Sequence, residues 1–85
     1  MRLLSRVERH SDLVGRMAET LGVDLLDAAQ AGRIGEGALS SVVYNCMGCD
    51  QPQACEGWLA AHIQGADAAP AYCRNKALLD RLASR

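Results

Sequence analysis

Apolar residues recur at steps of three and four positions over the first 21 residues of the chain. They are Leu3, Leu4, Val7, Val14, Met17 and Leu21. This period marks one face of an amphipathic helix, and Gly22, directly after the stripe, suits a left-handed C-terminal cap. His10 interrupts the stripe, and Ser11 and Asp12 are residues that can start a helix. The pattern therefore predicts a first helix ending at Leu21 and leaves open a break near His10.

Four shorter helical segments follow, each bounded by residues that begin or end helices. The expected ranges are residues 25–31, 36–45 and 52 to about 63, followed by a last helix near the C-terminus. Asp24 and Asn75 are expected to cap the second and the last helix, and Pro52 fits the first turn of the fourth. Residues 42–44 have strand propensity, but a single short strand without a partner is not stable. We therefore predict an all-α fold, a compact bundle of about five short helices that forms one domain over residues 1–85.

The composition indicates that such a bundle needs reinforcement. Hydrophobic residues make up 49% of the 85 residues, but many of them are alanine and Phe is absent. The aromatic residues are Tyr44, Trp58 and Tyr72. Because large side chains supply most of the burial energy, the apolar core is expected to be thin. A short chain with a thin core usually needs disulfides or a metal centre, and four cysteines are available for this purpose.

The N-terminal segment and the net charge limit the cellular compartments and the classes of partner that we expect. The first ten residues carry charges every few positions and lack the apolar segment of a secretory signal, and no later stretch reaches the roughly 20 apolar residues of a membrane span. We therefore expect a cytoplasmic protein without a membrane partner, in a compartment where disulfides are rare. Nine basic and ten acidic residues give a net charge of −1. This balance argues against a nucleic-acid partner, since such binding normally needs a basic surplus.

The cysteines have the spacing of a metal site. Cys46 and Cys49 form a C-x2-C knuckle, Cys55 follows after five intervening residues, and Cys73 follows after seventeen more. Two thiolates on one tight turn can reach a common metal, and Gly48 is expected to relieve the backbone of that turn. Cys55 and Cys73 are expected near helix N-termini, where unpaired N–H groups favour the thiolate. We therefore expect the four cysteines to converge on one site between the third, fourth and last helices.

The arrangement of three close cysteines and one remote cysteine indicates which metal the site is expected to bind. A [4Fe–4S] cluster is commonly held by such a set, whereas structural zinc usually takes two separated pairs of ligands. The spacing therefore favours a [4Fe–4S] cluster, with Zn²⁺ as the alternative. Two disulfides and four unconnected thiols also stay open at this point.

Four further residues are candidates for the surroundings of the site. Trp58 follows Cys55 by about one helical turn, so it either shields the centre from water or packs as a core residue. His62 is expected on the same face as Cys55, as an alternative ligand or as a surface or neighbouring residue. Met47 is expected in the core or over the knuckle. Tyr72 either donates a hydrogen bond to a sulfur or only packs beside it.

Three stretches of the sequence carry a resemblance to a known family. They read His10-x2-Leu13-x2-Arg16-Met17 with Leu21-Gly22-Val23-Asp24, then Cys46-x2-Cys49-x5-Cys55-x2-Trp58-Leu59, then Pro70-x-Tyr72-Cys73-x-Asn75. The chain resembles a family of small bacterial four-cysteine proteins of unknown function, which implies that the cysteines belong together and implies no activity. The run C-x2-C-x5-C alone resembles the [4Fe–4S] loops of WhiB-like regulators and of helix-hairpin-helix DNA glycosylases. In both of those families the fourth cysteine lies upstream, so this likeness supports the ligand geometry and does not extend to DNA binding.

No motif in the sequence points to catalysis. There is no Ser–His–Asp arrangement, phosphate-binding loop or pair of carboxylates, and four thiolate ligands leave a metal no open position. We therefore expect a protein that is not an enzyme and has no small-molecule substrate. The favoured hypothesis is electron transfer, or the sensing of iron, oxygen or nitric oxide, through the cluster. The alternative is a helical interaction module braced by zinc or disulfides, and either hypothesis implies a protein partner that the sequence does not identify.

Overall fold

A computed structural model of the chain describes residues 2–35 and 37–84. Over those ranges the protein consists of helices joined by turns and short loops and contains no strand. The helices are α1 (Arg2–Thr20), α2 (Leu25–Gln30), α3 (Ala38–Met47), α4 (Pro52–Ala61) and α5 (Lys76–Ser84). The all-α prediction is confirmed, and residues 42–44 belong to α3 despite their strand propensity. The side chain of Leu3 and the expected first residue of the third helix, Glu36, lie outside the described residues.

The first helix is one continuous element. It runs for 19 residues, so it is not short and the break left open near His10 does not occur. His10 is buried on the same face as Leu13 and Met17, and it can be buried there because its ring has a polar partner, described below. Gly22 then ends the helix with a φ of +74°, as expected for a left-handed cap. Neither α1 nor any other helix of the described residues is long and apolar enough to cross a membrane.

The ends of the shorter helices agree with the sequence in part. Asp24 caps α2, because its carboxylate accepts a hydrogen bond of 2.9 Å from the N–H of Asp27. Pro52 occupies the first turn of α4 as expected, although that helix ends slightly earlier than predicted. Asn75 precedes α5, but its side chain does not cap that helix. Its Nδ2 instead donates to the carbonyl of Val42 at 2.8 Å, which joins the start of α5 to α3.

Two groups of buried side chains form the core, and α1 packs along both α3 and α4. The larger group consists of Leu13, Met17, Ala18, Leu21, Leu59, Ala69 and Leu79. The smaller group consists of Ala28, Ile34 and Leu82, which join α2 and the following turn to α5. Cys46, Cys55 and Cys73 pack against the larger group. The cysteines therefore lie at the edge of the main core.

A small polar network fastens the loop between α4 and α5. The Nζ of Lys76 donates to Oδ2 of Asp80 at 2.8 Å and to the carbonyl of Ala69 at 2.7 Å. Oδ1 of Asp80 in turn accepts from the N–H of Ala69 at 2.8 Å. The hydrogen bond from Lys76 lowers the pKa of the Asp80 carboxyl, and the N–H of Ala69 lowers it further. This network fixes the loop that carries Cys73.

Candidate metal centre

The four cysteines come from three separate parts of the chain and surround one cavity. Cys46 and Cys49 lie together at the end of α3 and in the turn that follows it, Cys55 lies in α4, and Cys73 lies in the loop before α5. Each of the four is partly buried, and all are free cysteines. The structure thus brings together the four residues that the spacing singled out.

Helix α1 forms one wall of this cavity, in addition to the three helices expected from the sequence. Besides the cysteines, the cavity is lined by Leu13, Val14, Met17, Arg74, Asn75 and Leu79. The lining is therefore mostly apolar apart from the sulfur atoms. The centre of a water molecule has about 20 Å³ in which to move there. Because organic ligands occupy cavities of roughly 300–1,000 Å³, this space suits water or a compact inorganic group and no organic cofactor.

Backbone N–H groups point at two of the sulfur atoms. The N–H of Gln51 donates to Sγ of Cys49 at 3.3 Å. Burial raises the pKa of the Cys73 thiol, but a hydrogen bond from the backbone of Asn75 offsets part of this effect. These donors lie at the starts of α4 and α5, where the first N–H groups of a helix have no partner within it. Hydrogen bonds of this kind favour a thiolate over a thiol.

Burial favours the protonated thiols of Cys46 and Cys55 at neutral pH. It raises the pKa of Cys46 to about 11, and the charges of the other three cysteines contribute to that rise. Burial and the neighbouring cysteines also raise the pKa of Cys55. The expectation that a helix N-terminus favours the thiolate of Cys55 is therefore wrong, because desolvation outweighs the helix terminus there. The N–H of Cys55 is itself occupied by the carbonyl of Gln51 at 2.9 Å.

His10 belongs to the site, although the sequence analysis did not place it there. Its Nδ1 lies 3.3 Å from Sγ of Cys46. Burial lowers the pKa of His10, and the charges of Arg6 and Arg9 lower it further, so the ring is neutral. A Cys46 thiol donates to Nδ1, whereas a Cys46 thiolate accepts from an Nδ1–H. The sequence feature that could have pointed to His10 is its place on the apolar stripe, three residues before Leu13. A polar residue on a buried face needs a partner.

Tyr72 brings a buried hydroxyl to the same region. Its Oη is buried and has no hydrogen-bond partner among the described residues. Burial raises the pKa of Tyr72, and the charges of Cys55, Cys49 and Cys73 raise it further, which places the phenol near the cysteines. The hydrogen bond to sulfur considered from the sequence is not formed. A buried hydroxyl without a partner is costly, and Tyr72 is not among the residues that line the cavity.

The other three expected neighbours do not line the cavity either. Trp58 packs against the main core, and the ring of His62 stacks on it with 4.1 Å between the ring centroids. Nδ1 of His62 lies 2.7 Å from the carbonyl of Trp58. Neither ring lines the cavity, so the structure does not place His62 as a ligand. Met47 lines two neighbouring surface grooves instead, and its carbonyl accepts a hydrogen bond from Arg6.

Gly48 is not required by the backbone of the C-x2-C turn. Its φ of −84° is accessible to any residue, so the expectation that glycine relieves this turn is wrong. A Cβ at this position would lie 3.4 Å from the carbonyl oxygen of Asn45 and 3.8 Å from the side chain of Arg74. These are ordinary van der Waals distances, so an alanine at position 48 would fit beside Arg74.

The site offers four soft sulfur donors around a small apolar cavity. Thiolates are the ligands that iron–sulfur clusters, zinc and copper(I) take in proteins. Within residues 2–35 and 37–84, no three His, Cys, Asp or Glu side chains are arranged to hold a single metal ion. The site is thus rich in sulfur donors and holds one Cys–His contact, between Cys46 and His10.

Comparison with known proteins identifies a family and no activity. A family model described as "Family of unknown function (DUF6455)" matches residues 1–85. No curated protein matches the sequence, and no solved structure matches the chain. The family match supports the resemblance to a small family of unknown function. It lends no support to the local resemblance to WhiB-like regulators or DNA glycosylases.

Proposed function

This chain belongs to the DUF6455 family of unknown function, and we propose that its four cysteines hold one metal centre, a [4Fe–4S] cluster. The protein is then a redox protein without catalytic activity of its own, acting in electron transfer or in the sensing of iron, oxygen or nitric oxide. One observation carries the proposal: four free cysteines from three parts of the chain line the same small cavity.

The distribution of the cysteines supports a cluster over a single ion. Cys46, Cys49 and Cys55 lie within ten residues of one another, and Cys73 reaches the cavity from the loop before α5. Three close ligands and one remote ligand are common around a [4Fe–4S] cluster. The space between the sulfur atoms gives the centre of a water molecule only about 20 Å³, little more than one water needs, so the preference for a cluster comes from the ligand spacing alone.

Groups around the sulfur atoms are placed to stabilise thiolate ligands. The N–H of Gln51 already donates to Cys49, and Nδ1 of His10 lies within hydrogen-bond distance of Cys46. The hydroxyl of Tyr72 is buried without a hydrogen-bond partner among the described residues, and we expect it to donate to a sulfur when the centre is bound. Such outer hydrogen bonds orient the ligands and contribute to the reduction potential.

The electrostatics of the free thiols support a bound cation. Burial raises the pKa of Cys46 to about 11 and also raises those of Cys55 and Cys73, so these three groups resist ionisation in the absence of positive charge. Iron supplies that charge and deprotonates its thiol ligands. The free energy of metal binding then contributes to folding, which offsets a thin core. When bound, the cluster supplies reversible one-electron chemistry, while the chain holds it and screens one side from water.

Anaerobic purification followed by analysis of iron, sulfide and zinc tests the proposal. We expect a brown protein with about four iron and four labile sulfide ions per chain. A colourless protein with one zinc per chain would show that the centre is structural zinc and not a cluster. That result would favour a helical interaction module braced by zinc. A metal-free protein that contains two disulfides, or that cannot be loaded with iron or zinc, would overturn the metal centre altogether.

A pair of serine variants in α4 separates ligand loss from a general effect of substitution. Cys55→Ser removes one of the proposed ligands, whereas Ala54→Ser introduces the same side chain at an exposed neighbouring position. We expect Cys55→Ser to lose most of the bound metal and Ala54→Ser to retain it. Equal metal content in both variants would show that Cys55 is not a ligand.

A further inference from the structure

Two arginines from distant parts of the chain meet at the C-x2-C turn. Nη2 of Arg6, on α1, donates to the carbonyl of Met47 at 2.8 Å. The side chain of Arg74, before α5, packs over Gly48, with Cδ and Nε 3.8 Å from the position that a Cβ would occupy there. Both arginines are therefore held against adjacent residues of the same turn.

These two arginines form no ion pair with an acidic side chain in the described part of the chain. Other arginines of α1 do form such pairs. Arg9 contacts Glu56 at 2.6 Å, and Arg16 contacts Asp12 at 3.5 Å. Because the whole chain has a net charge of −1, the positive charge at the C-x2-C turn is a local feature.

A surface cleft of about 420 Å³ opens between the two arginines. It is lined by Arg6, Tyr44, Asn45, Met47, Gly48 and Arg74. Tyr44 is 77% exposed although its side chain is large and aromatic. Arginine, tyrosine and methionine are enriched in protein interfaces, and arginine and tyrosine often dominate the binding energy there. The cleft therefore combines two charged donors with an exposed aromatic ring.

We propose that this cleft docks an acidic segment of a partner protein beside the cysteine site. A guanidinium group binds a carboxylate through two parallel hydrogen bonds, so a segment with two or more carboxylates matches the two arginines. Arg74 lines both the cleft and the cavity between the cysteines, which places a docked partner next to the metal centre. Electron exchange with that centre rests on the proposed function, whereas the docking does not.

Fluorescence anisotropy with a labelled decaglutamate peptide at low ionic strength tests the docking on the whole chain. Arg6→Gln/Arg74→Gln removes both charges of the cleft. Arg16→Gln/Arg33→Gln removes the same net charge from positions that do not line it. We expect affinity for the peptide to fall at least about tenfold in the first variant and less than about twofold in the second. Equal losses would reveal only a general charge effect and would overturn the proposal.

The single variant Arg74→Gln distinguishes a loss of binding from a loss of folding. Arg6 bonds the turn, but the side chain of Arg74 forms no hydrogen bond or ion pair with the described residues, so its replacement is expected to leave helicity unchanged. Weaker peptide binding by this well-folded variant would support the proposal. Unchanged binding would count against it.

Two further ligands identify the occupant of the cleft. If free glutamate displaces the peptide at the same carboxylate concentration, the occupant is a small anion. If oligothymidine binds more tightly than the peptide, and if the arginine variants lose this binding, the occupant is nucleic acid. Either outcome would overturn an acidic protein segment as the occupant, whereas preference for the peptide would support it. Binding is measured on metal-loaded and metal-free protein, so failure here is distinguishable from failure to find a metal centre.

Discussion

Nδ1 of His10 lies 3.3 Å from Sγ of Cys46, across the interface between α1 and α3. Burial lowers the pKa of His10 and raises the pKa of Cys46 to about 11. A neutral ring therefore faces a neutral thiol when no metal is bound. When Cys46 serves as a thiolate ligand, the same ring can donate from Nδ1–H and hold the sulfur in one orientation.

Replacing His10 by Leu removes this hydrogen bond while keeping the position apolar. We expect metal affinity to fall by about 10- to 100-fold, the usual effect of losing an outer hydrogen bond to a ligand. His10→Asn is expected to retain most of the affinity, since its amide nitrogen can take the place of Nδ1. The measurement is the rate of metal loss to a chelator. His62→Leu is the control, because His62 stacks on Trp58 outside the cavity, and an equal loss in that variant would contradict the assignment.

The buried side chain of Asn75 joins α5 to α3, and its removal is expected to be costly. Nδ2 donates to the carbonyl of Val42 at 2.8 Å, and Oδ1 accepts from Nδ2 of Asn45 at 3.2 Å. We expect Asn75→Ala to lower the free energy of unfolding by about 1–3 kcal/mol. Asn45→Ala, which removes only one bond from an exposed residue, is expected to cost less than about 1 kcal/mol. Urea denaturation distinguishes them, and similar losses would show that Asn75 does not join the two helices.

The network of Lys76 and Asp80 predicts a defined dependence of stability on pH. Lys76 lowers the pKa of Asp80 below its ordinary 3.8, so the unfolded chain binds this proton more readily than the folded protein. The stabilisation is therefore present above pH 3.8 and is lost as the pH falls through the lower folded value. Asp80→Asn is expected to cost about 1 kcal/mol at neutral pH, a small value because both side chains are partly exposed.

Thermal unfolding of wild type and Asp80→Asn as a function of pH measures this effect. The difference between the two proteins should shrink towards zero in acid, because protonated Asp80 no longer attracts Lys76. Asp67→Asn is the control, since Asp67 is an exposed carboxylate on the same loop. A difference that stays constant from neutral to acidic solution would show that the charge of Asp80 is not responsible.

The helices were largely predictable because their signals are local. The apolar stripe of α1, the cap at Asp24 and the left-handed Gly22 all act within a few residues of the element that they define. The contacts between helices were not predictable in this way. His10 could be recognised as a polar residue on an apolar face, but no pattern links it to Cys46, which lies 36 positions further along the chain.

In the candidate site, too, the features set by local sequence spacing were predictable, whereas those set by contacts between helices were not. Spacing singled out the cysteines as one group, because C-x2-C and Cys55 belong to one turn and the helix after it, and in the structure all four line one cavity. It placed Trp58 and His62 on the side of α4 that carries Cys55, whereas in the structure the two rings stack on each other and neither lines the cavity. The positive charge at Arg6 and Arg74 could not be predicted for a similar reason. The net charge of the chain does not say which charged residues lie close together in the fold.

The remote cysteine, Cys73, provides the sharpest test of whether the four sulfur atoms act together. It packs against the main core, and the loop that carries it is separately fastened by Lys76 and Asp80. Cys73→Ala keeps an apolar side chain at this position. We therefore expect the metal-free variant to lose only about 1 kcal/mol of stability, comparable to the loss of a small buried group.

In the metal-loaded protein the same substitution is expected to have a much larger effect. The remaining three cysteines can hold only a labile centre, so colour should weaken and the stabilisation that metal gives the wild type should largely disappear, because the energy of metal binding contributes to folding. Melting temperatures of both proteins, with and without metal, measure this coupling. Alkylation under non-reducing conditions after metal removal should modify four thiols in wild type and three in the variant, as expected for four free cysteines. Fewer than four in wild type, with one additional free thiol in Cys73→Ala, would instead show that Cys73 forms a disulfide and would end the metal-centre interpretation.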